Sequence, residues 1–167
     1  MAPTAMPELR LVKVRQPEEI GAAAVLFREY VDWLGIDLSF QDFENELAAL
    51  PGKYAPPEGE LILACSHAGD ALGCVGVRPL DGTIVCEMKR LYVRPSARGL
   101  GVGRALIGAI ISAAEELGYA EMKLDSLPWM DSALALYKQF GFTEIAAYYD
   151  NPVPETRYLG KRLAPRP

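Results

Sequence analysis

Hydrophobic and polar positions alternate in two different periods along the first third of the chain. Residues 8–14 (ELRLVKV) alternate with a period of two, which predicts a first β-strand. From Pro17 to about Leu34 the apolar residues recur at helical spacing, and proline suits the first turn of a helix. Ser39 can cap a second helix that runs to Leu50, where a Pro-Gly pair ends it. The pattern therefore predicts a strand followed by two helices.

The middle of the chain predicts a small sheet. Three runs, at residues 60–67, 70–80 and 83–93, have the length and apolar content of strands. The segments between them, AGD and LDG, are typical of tight turns. We therefore expect these three strands to form an antiparallel meander.

The last third predicts two further helices and three further strands. Apolar residues over 102–117 and over 130–140 recur at helical spacing, and a glycine follows each pattern. Strands are predicted at residues 120–126, 142–149 and 156–163, the last two joined by a proline-rich segment.

Length and composition place the chain among ordinary globular proteins. It has 167 residues, 50% of them hydrophobic, with no internal repeat or linker, so we expect a single domain over residues 1–167. Neither a signal peptide nor a membrane-spanning run is visible, and three cysteines lie in apolar stretches, so we expect reduced thiols in a cytoplasmic protein without a membrane partner. No CxxC pair is present and His67 is the single histidine, so no metal site is expected.

The charges are unevenly distributed. The net charge of −5 argues against a nucleic-acid partner, because phosphate neutralisation requires a basic face. Between Glu18 and Glu46 there are eight carboxylates and one base, whereas between Lys89 and Arg104 there are five bases and no acid. This asymmetry suggests one cationic and one anionic ligand, although solvated helix faces explain the acidic run equally well.

Three glycines in five positions, in the segment RGLGVG, directly precede a predicted helix. A P-loop would need a following Lys-Ser or Lys-Thr, and the dinucleotide fingerprint GxGxxG would need a different spacing and a more apolar strand before it. Glycines at a helix start still let successive backbone N–H groups turn toward an anion, and Arg98 and Arg104 can add charge-assisted hydrogen bonds. A pyrophosphate is the expected guest; the alternative is a glycine-rich turn with incidental arginines.

The segment LYVRPSARGLGVGRAL resembles the acetyl-CoA-binding motif of the GNAT superfamily of N-acetyltransferases, and ALALYKQFGF resembles that family's later helix. The resemblance covers nearly the whole chain. It implies a mixed α/β fold with a central, mostly antiparallel sheet flanked by helices. It also implies acetyl-CoA as co-substrate, with its pyrophosphate on the N–H groups of residues 99–104 and its pantetheine arm along residues 91–93. The cofactor-binding residues it implies are Leu91, Tyr92, Val93, Arg98, Gly99, Leu100, Gly101, Val102, Gly103 and Arg104.

One position departs from the family pattern. Family members often have an asparagine seven residues before the helix tyrosine, and here that position is Met130. Asp131 and Ser132 are the nearby polar residues. The resemblance therefore leaves this cofactor contact unassigned.

Two residues are candidates for catalysis. Glu87, four residues before Leu91 and expected on the same face of its strand, is the candidate base, because an amine must lose a proton to be acetylated. Its alternative is a solvated strand residue or a structural partner of Lys89 or Arg90. Tyr137 matches the family tyrosine that can protonate the departing thiolate, and its alternative is a place in the core.

The function expected from the resemblance is direct transfer of an acetyl group to a primary amine of a small cationic or amino-acid-like acceptor. Family members are often dimers, so the resemblance also implies that this chain can form a homodimer. A protein lysine or N-terminal acetyltransferase, or a non-catalytic acyl-CoA sensor, are the alternatives. Possible parts of an acceptor pocket are Tyr148, Tyr149, Asp150, Trp33 and Trp129, although core packing explains the two tryptophans equally well. As catalytic candidates, His67 and Cys86 rank below Glu87 and Tyr137.

Overall fold

The computed structural model describes residues 8–82 and 84–166, and most of the segment on which the signal-peptide expectation depends, residues 1–7, lies outside them. The strands in the described part of the chain are β1 (Arg10–Lys13), β2 (Glu60–Cys65), β3 (Ala71–Asp81), β4 (Val85–Val93), β5 (Glu121–Ser126), β6 (Thr143–Glu144) and β7 (Arg157–Arg162). The α-helices there are α1 (Pro17–Leu34), α2 (Phe43–Ala48), α3 (Val102–Glu116) and α4 (Asp131–Gln139). None of the helices in residues 8–82 and 84–166 is long and apolar enough to span a bilayer.

The strands form one sheet in the order β1-β2-β3-β4-β5-β7-β6. All neighbouring pairs are antiparallel except β4 and β5, which α3 connects as a parallel pair. The antiparallel meander of β2, β3 and β4 is confirmed. The mixed, mostly antiparallel sheet flanked by helices is confirmed as well.

The sheet has a hydrophobic core on each face. One core packs α3 and α4 against the sheet and includes Ile107, Ile110 and Met122. The other packs α1 and the Phe43 end of α2 and includes Phe27. Because strand side chains alternate between faces, both sides of the central strands are buried.

The second predicted helix is broken, so its expected start at Ser39 is wrong. Residues 39–41 form a single 3₁₀ turn, and Asp42 adopts a left-handed conformation with φ 58° before α2 begins. The Ser39 side chain caps nothing; its backbone N–H donates to Asp37 Oδ1 at 2.8 Å. Because of this break, the side chains of residues 39–41 do not continue the helical face of α2.

The predicted strand over residues 142–149 is also much shorter than expected. Only Thr143 and Glu144 belong to β6, and Ile145 makes one further backbone bond, to Tyr158, before the chain leaves the sheet. The following segment is held by side chains instead, because the Tyr148 and Tyr149 hydroxyls donate to carboxylates of β4 and β5.

A β-bulge interrupts the pairing of β4 with β3 near the centre of the sheet. Gly76 of β3 pairs with Lys89 and Cys74 pairs with Tyr92, so three steps of β4 oppose two of β3. The bulged Arg90 has a positive φ of 61°, which non-glycine residues rarely adopt. Pairing between β4 and β5 covers only Val85–Glu87 and Glu121–Lys123, and beyond it the two strands separate.

Candidate active site

A cleft of about 560 Å³ lies where β4 and β5 separate. Its walls come from the second half of β4, the glycine segment, the end of β5, the start of α4, and the end of α1 with the chain that follows it. A cleft at the carboxyl ends of two parallel strands is the usual place for a ligand in this kind of sheet.

One end of the cleft is a cradle of backbone N–H groups at the start of α3. Gly99 and Gly101 have φ values of 79° and 81°, a conformation that only glycine adopts without strain. A Cβ added to Gly99 would meet nothing within 4 Å, so backbone conformation rather than crowding requires this glycine. The backbone N–H groups of residues 99–104 find no acceptor among the described residues, and they include the first turn of α3. Six such donors at a helix N-terminus fit a pyrophosphate.

Two arginines border this cradle. Arg98 donates from Nε to the Val93 carbonyl at 3.1 Å, and its guanidinium lies 4.6 Å from the ring centroid of Trp33. Arg104 donates to Gln139 on α4. Both arginines line the cleft, so their positive charge adds to that of the helix end.

Most residues that the sequence predicts for the cofactor do line the cleft. Leu91 and Val93 lie against the core under α3 and α4, whereas Tyr92 packs on the other face against Tyr30 and Trp33. Leu100 is the exception, because it is partly exposed and does not line the cleft. The predicted residues that do line it are Leu91, Tyr92, Val93, Arg98, Gly99, Gly101, Val102, Gly103 and Arg104.

Tyr137 lines the cleft from α4. Its side chain is buried and packs edge-on against Phe142, with ring centroids 5.8 Å apart. The hydroxyl has no hydrogen bond to any described residue, although buried tyrosine hydroxyls usually have one. Burial raises the pKa of Tyr137 above its ordinary value, so the hydroxyl keeps its proton at neutral pH.

Glu87 lies differently from the sequence expectation. It is 2% exposed and does not line the cleft. One carboxylate oxygen accepts from Arg78 at 3.1 and 3.2 Å, and the other accepts from the Tyr148 hydroxyl at 2.6 Å. The expected shared face with Leu91 is wrong, because the bulge at Arg90 adds a residue and reverses the alternation between them.

The sequence analysis did not identify the polar floor of the cleft. Lys89 Nζ donates to Gln41 Oε1 at 3.1 Å and lies 3.7 Å from Asp125 Oδ1. The other oxygen of Asp125 accepts from the Tyr149 hydroxyl and from Asn151 Nδ2. Burial lowers the pKa of the Lys89 ammonium below its ordinary value, and Asp125 opposes this effect. The order β4, α3, β5 predicts that β4 and β5 are parallel neighbours, with their carboxyl ends at the same edge of the sheet. Asp125, near the end of β5, was therefore the residue that the sequence could have indicated as part of a site.

Three of the eight carboxylates between residues 18 and 46 form ion pairs within the described part of the chain. Glu29 pairs with Arg94 and Glu44 with Arg28. Glu46 pairs with both Arg78 and Arg90 beneath the cleft. None of the eight carboxylates between residues 18 and 46 lines the cleft, so they give no reason to expect a cationic ligand there.

The remaining candidates divide between the cleft and its surroundings. Met130, Asp131 and Ser132 line the cleft, as do Trp33 and Trp129 at its rim. Tyr148 and Tyr149 lie behind it on Glu87 and Asp125. His67 is exposed beside Glu8, and Cys86 is buried in the core. Across residues 8–82 and 84–166, no three His, Cys, Asp or Glu side chains come together as metal ligands.

Comparisons with known proteins agree with this arrangement. Residues 25–142 match the model of the acetyltransferase (GNAT) family. The chain is 45% identical over 146 residues to an uncharacterised N-acetyltransferase of Schizosaccharomyces pombe, with 87% of this chain and 90% of that protein covered. It is 29% identical to the aminoglycoside N(6')-acetyltransferase type 1 of Stenotrophomonas maltophilia, with 84% and 93% covered. A solved GNAT acetyltransferase from Staphylococcus aureus shares the fold, with a TM-score of 0.76 at 18% identity and 93% and 99% covered.

Proposed function

Because this chain belongs to the acetyltransferase (GNAT) family of acyltransferases, we propose that it transfers an acetyl group from acetyl-CoA directly to the primary amine of a small acceptor. The observation that carries the proposal is the cleft itself. It joins a cradle of backbone N–H groups at one end to the hydroxyl of Tyr137 and a buried polar floor, and neither the N–H groups nor the hydroxyl has a hydrogen-bond partner in residues 8–82 and 84–166.

The fit to acetyl-CoA follows from the chain's own groups. The N–H groups of residues 99–104, with Arg98 and Arg104, would hold the pyrophosphate. The bulged half of β4 has backbone groups that β5 does not pair, and these would hold the pantetheine arm as an added strand. When bound, acetyl-CoA supplies the acetyl group as a thioester.

Tyr137 is the general acid in this proposal. Tyr137 would donate its hydroxyl proton to the thioester sulfur as the amine nitrogen bonds to the acetyl carbon and the carbon–sulfur bond breaks, and the hydroxyl would then recover a proton from solvent. The Tyr137 hydroxyl is protonated at neutral pH, because burial only raises its pKa above an ordinary value that is already well above neutral. The absence of a competing hydrogen bond among the described residues leaves the hydroxyl free to turn toward the sulfur.

The amine must also lose a proton, and two carboxylates can take it. Asp125 lines the cleft and has one oxygen without a hydrogen-bond donor in the described part of the chain, so we assign it the direct role. Glu87, the base expected from the sequence, lies outside the lining and can be reached only through water. The two roles are separable by amide substitutions.

A small acceptor suits the enclosed floor better than a protein segment does. Lys89 and Asp125 lie deep in the cleft, with side chains only 5% and 10% exposed. The relative named for aminoglycoside acetylation supports the same class of acceptor. A protein lysine or N-terminus would have to insert a long, narrow portion of chain to reach this depth.

Release of free thiol tests the proposal. Purified protein with acetyl-CoA should release coenzyme A only when a suitable amine from a broad panel is added, and mass spectrometry should find the acetylated amine. If peptides alone are acetylated, the acceptor class is wrong. If no amine or peptide releases thiol while calorimetry still shows coenzyme A binding, the chain is an acyl-CoA sensor and the proposal fails.

Two further expectations belong to this proposal. A cytoplasmic enzyme with one domain is consistent with three buried, unpaired cysteines in the described residues. A homodimer follows only from the family resemblance. Light scattering on the purified protein would measure the oligomeric state directly.

A further inference from the structure

The floor of the cleft holds two buried charges whose hydrogen-bonding capacity is not filled. Lys89 has three ammonium protons, but it donates one hydrogen bond, to Gln41, within the described part of the chain. Asp125 Oδ2 has two donors there, whereas Oδ1 has none at hydrogen-bond distance. The Lys89 side chain is 5% exposed and the Asp125 side chain is 10% exposed. Lys89 Nζ and Asp125 Oδ1 are 3.7 Å apart. Buried charges in this state call for a further polar partner.

The surrounding charges already balance. Arg78 and Arg90 face Glu46 and Glu87, and Lys89 faces Asp125, so three cations meet three carboxylates. Gln41, which faces both Lys89 and Arg90, is neutral. An acceptor that brought only an ammonium group would therefore leave one buried positive charge uncompensated, which is unfavourable.

We propose that the acceptor is an amino acid or a close relative, with its amine on Asp125 Oδ1 and its carboxylate on Lys89 Nζ. This inference rests on the proposed function and specifies its acceptor. A zwitterion adds no net charge and fills the open position on each of the two side chains. Because those positions are only 3.7 Å apart, the amine and the carboxylate belong on the same carbon or on neighbouring carbons.

The sequence expectation named a small cationic or amino-acid-like acceptor; the proposal keeps the second and sets aside the expectation of a cation. That expectation came from carboxylates of the first two helical segments, and those side chains do not line the cleft. Apolar side chains also line the cleft on the segment that carries Gln41 and near Asn151, among them Leu38, Phe40 and Val153. An amino acid with an apolar side chain is therefore the appropriate probe.

A matched series of amines tests the inference. Three probes share the amine and the hydrocarbon chain and differ in one group on the α-carbon. That group is a carboxylate in L-leucine, a neutral amide in L-leucinamide and a hydrogen atom in 3-methylbutylamine. 1,4-Diaminobutane supplies a second cation instead. We expect kcat/KM for leucine to exceed that for leucinamide by about tenfold or more, because a hydrogen bond between charged groups is lost. Equal values, or preference for the diamine, would overturn the inference.

The Lys89→Gln variant tests the residue. It should reduce kcat/KM for leucine by about tenfold or more and change that for leucinamide by less than about threefold. Lys138→Gln removes the same charge from an exposed position on α4 outside the cleft and should change neither. An equal loss for both amines in Lys89→Gln would show a merely structural role and overturn the assignment.

Binding separates this inference from the proposed function. The two tryptophans, Trp33 and Trp129, both line the cleft, so their fluorescence should respond to a bound amine in the presence of coenzyme A without an acetyl group. If no amine is acetylated, the proposed function fails, but leucine should still bind more tightly than leucinamide. Binding in the opposite order, or no binding of any amine, refutes the inference whether or not Lys89→Gln folds.

Discussion

Replacing Tyr137 with phenylalanine removes a single oxygen atom from the lining of the cleft. The hydroxyl makes no hydrogen bond to any residue in 8–82 or 84–166, so its removal leaves no partner unsatisfied. The aromatic ring keeps its packing against Phe142. We therefore expect the free energy of unfolding to stay within about 0.5 kcal/mol of the wild-type value.

The effect on turnover should be much larger. General acid catalysis contributes about 10²–10⁴-fold, so kcat for Tyr137→Phe should fall by about that factor. This corresponds to about 3–5 kcal/mol in the activation barrier, at about 1.4 kcal/mol for each tenfold. Affinity for acetyl-CoA should be unchanged, because the cradle lies at the other end of the cleft. Since burial raises the pKa of Tyr137, this residue should not cause a loss of activity as the pH rises through the neutral range.

Tyr119→Phe is the matched control. Its hydroxyl donates to the Glu58 carbonyl at 2.6 Å in the same core, and it does not line the cleft. This variant should lose about 1 kcal/mol of stability and keep its turnover. The assay is thiol release at saturating acetyl-CoA, with urea unfolding and calorimetric titration on the same samples. Wild-type turnover in Tyr137→Phe would refute the reasoning and return the residue to a structural role.

The other substitutions address the cradle, the base and the buried ion pairs. Gly101→Glu should abolish coenzyme A binding measured by calorimetry, whereas Gly118→Glu, at a similar φ outside the cleft, should suffer the same backbone strain of about 1–2 kcal/mol and bind normally. Asp125→Asn should lower kcat by about 10²-fold or more, and Glu87→Gln by less than about tenfold; the reverse order in steady-state kinetics would make Glu87 the base. Glu46→Gln should lower the free energy of unfolding in urea by about 3 kcal/mol, because two arginines lose their charged partner; an unchanged midpoint would contradict this.

The sequence by itself determined most of the elements and the position of the glycine cradle, although not the start of the second helix or the length of β6. Helical periodicity predicts α1 with its observed bounds, Pro17–Leu34, because an amphipathic helix records its buried face at every turn. The glycines before α3 mark the cradle equally well, since a positive φ at Gly99 and Gly101 is a local requirement that restricts the residue type. Patterns of this kind are visible in one chain segment and need no knowledge of its neighbours.

Tertiary structure alone decided which charged groups line the cleft. The order of polar and apolar residues in β4 does not reveal the bulge at Arg90, yet the bulge places Glu87 and Leu91 on opposite faces of the sheet. The carboxylates of the early helices looked available in the sequence, but arginines on β3, β4 and the segment after β4 neutralise Glu46 and Glu29. Lys89 and Asp125 meet because each lies two residues beyond the last paired positions of two parallel strands, Glu87 and Lys123. Ion pairs and strand separation depend on residues far apart in sequence, and the charge of a side chain alone does not say which partner it will have.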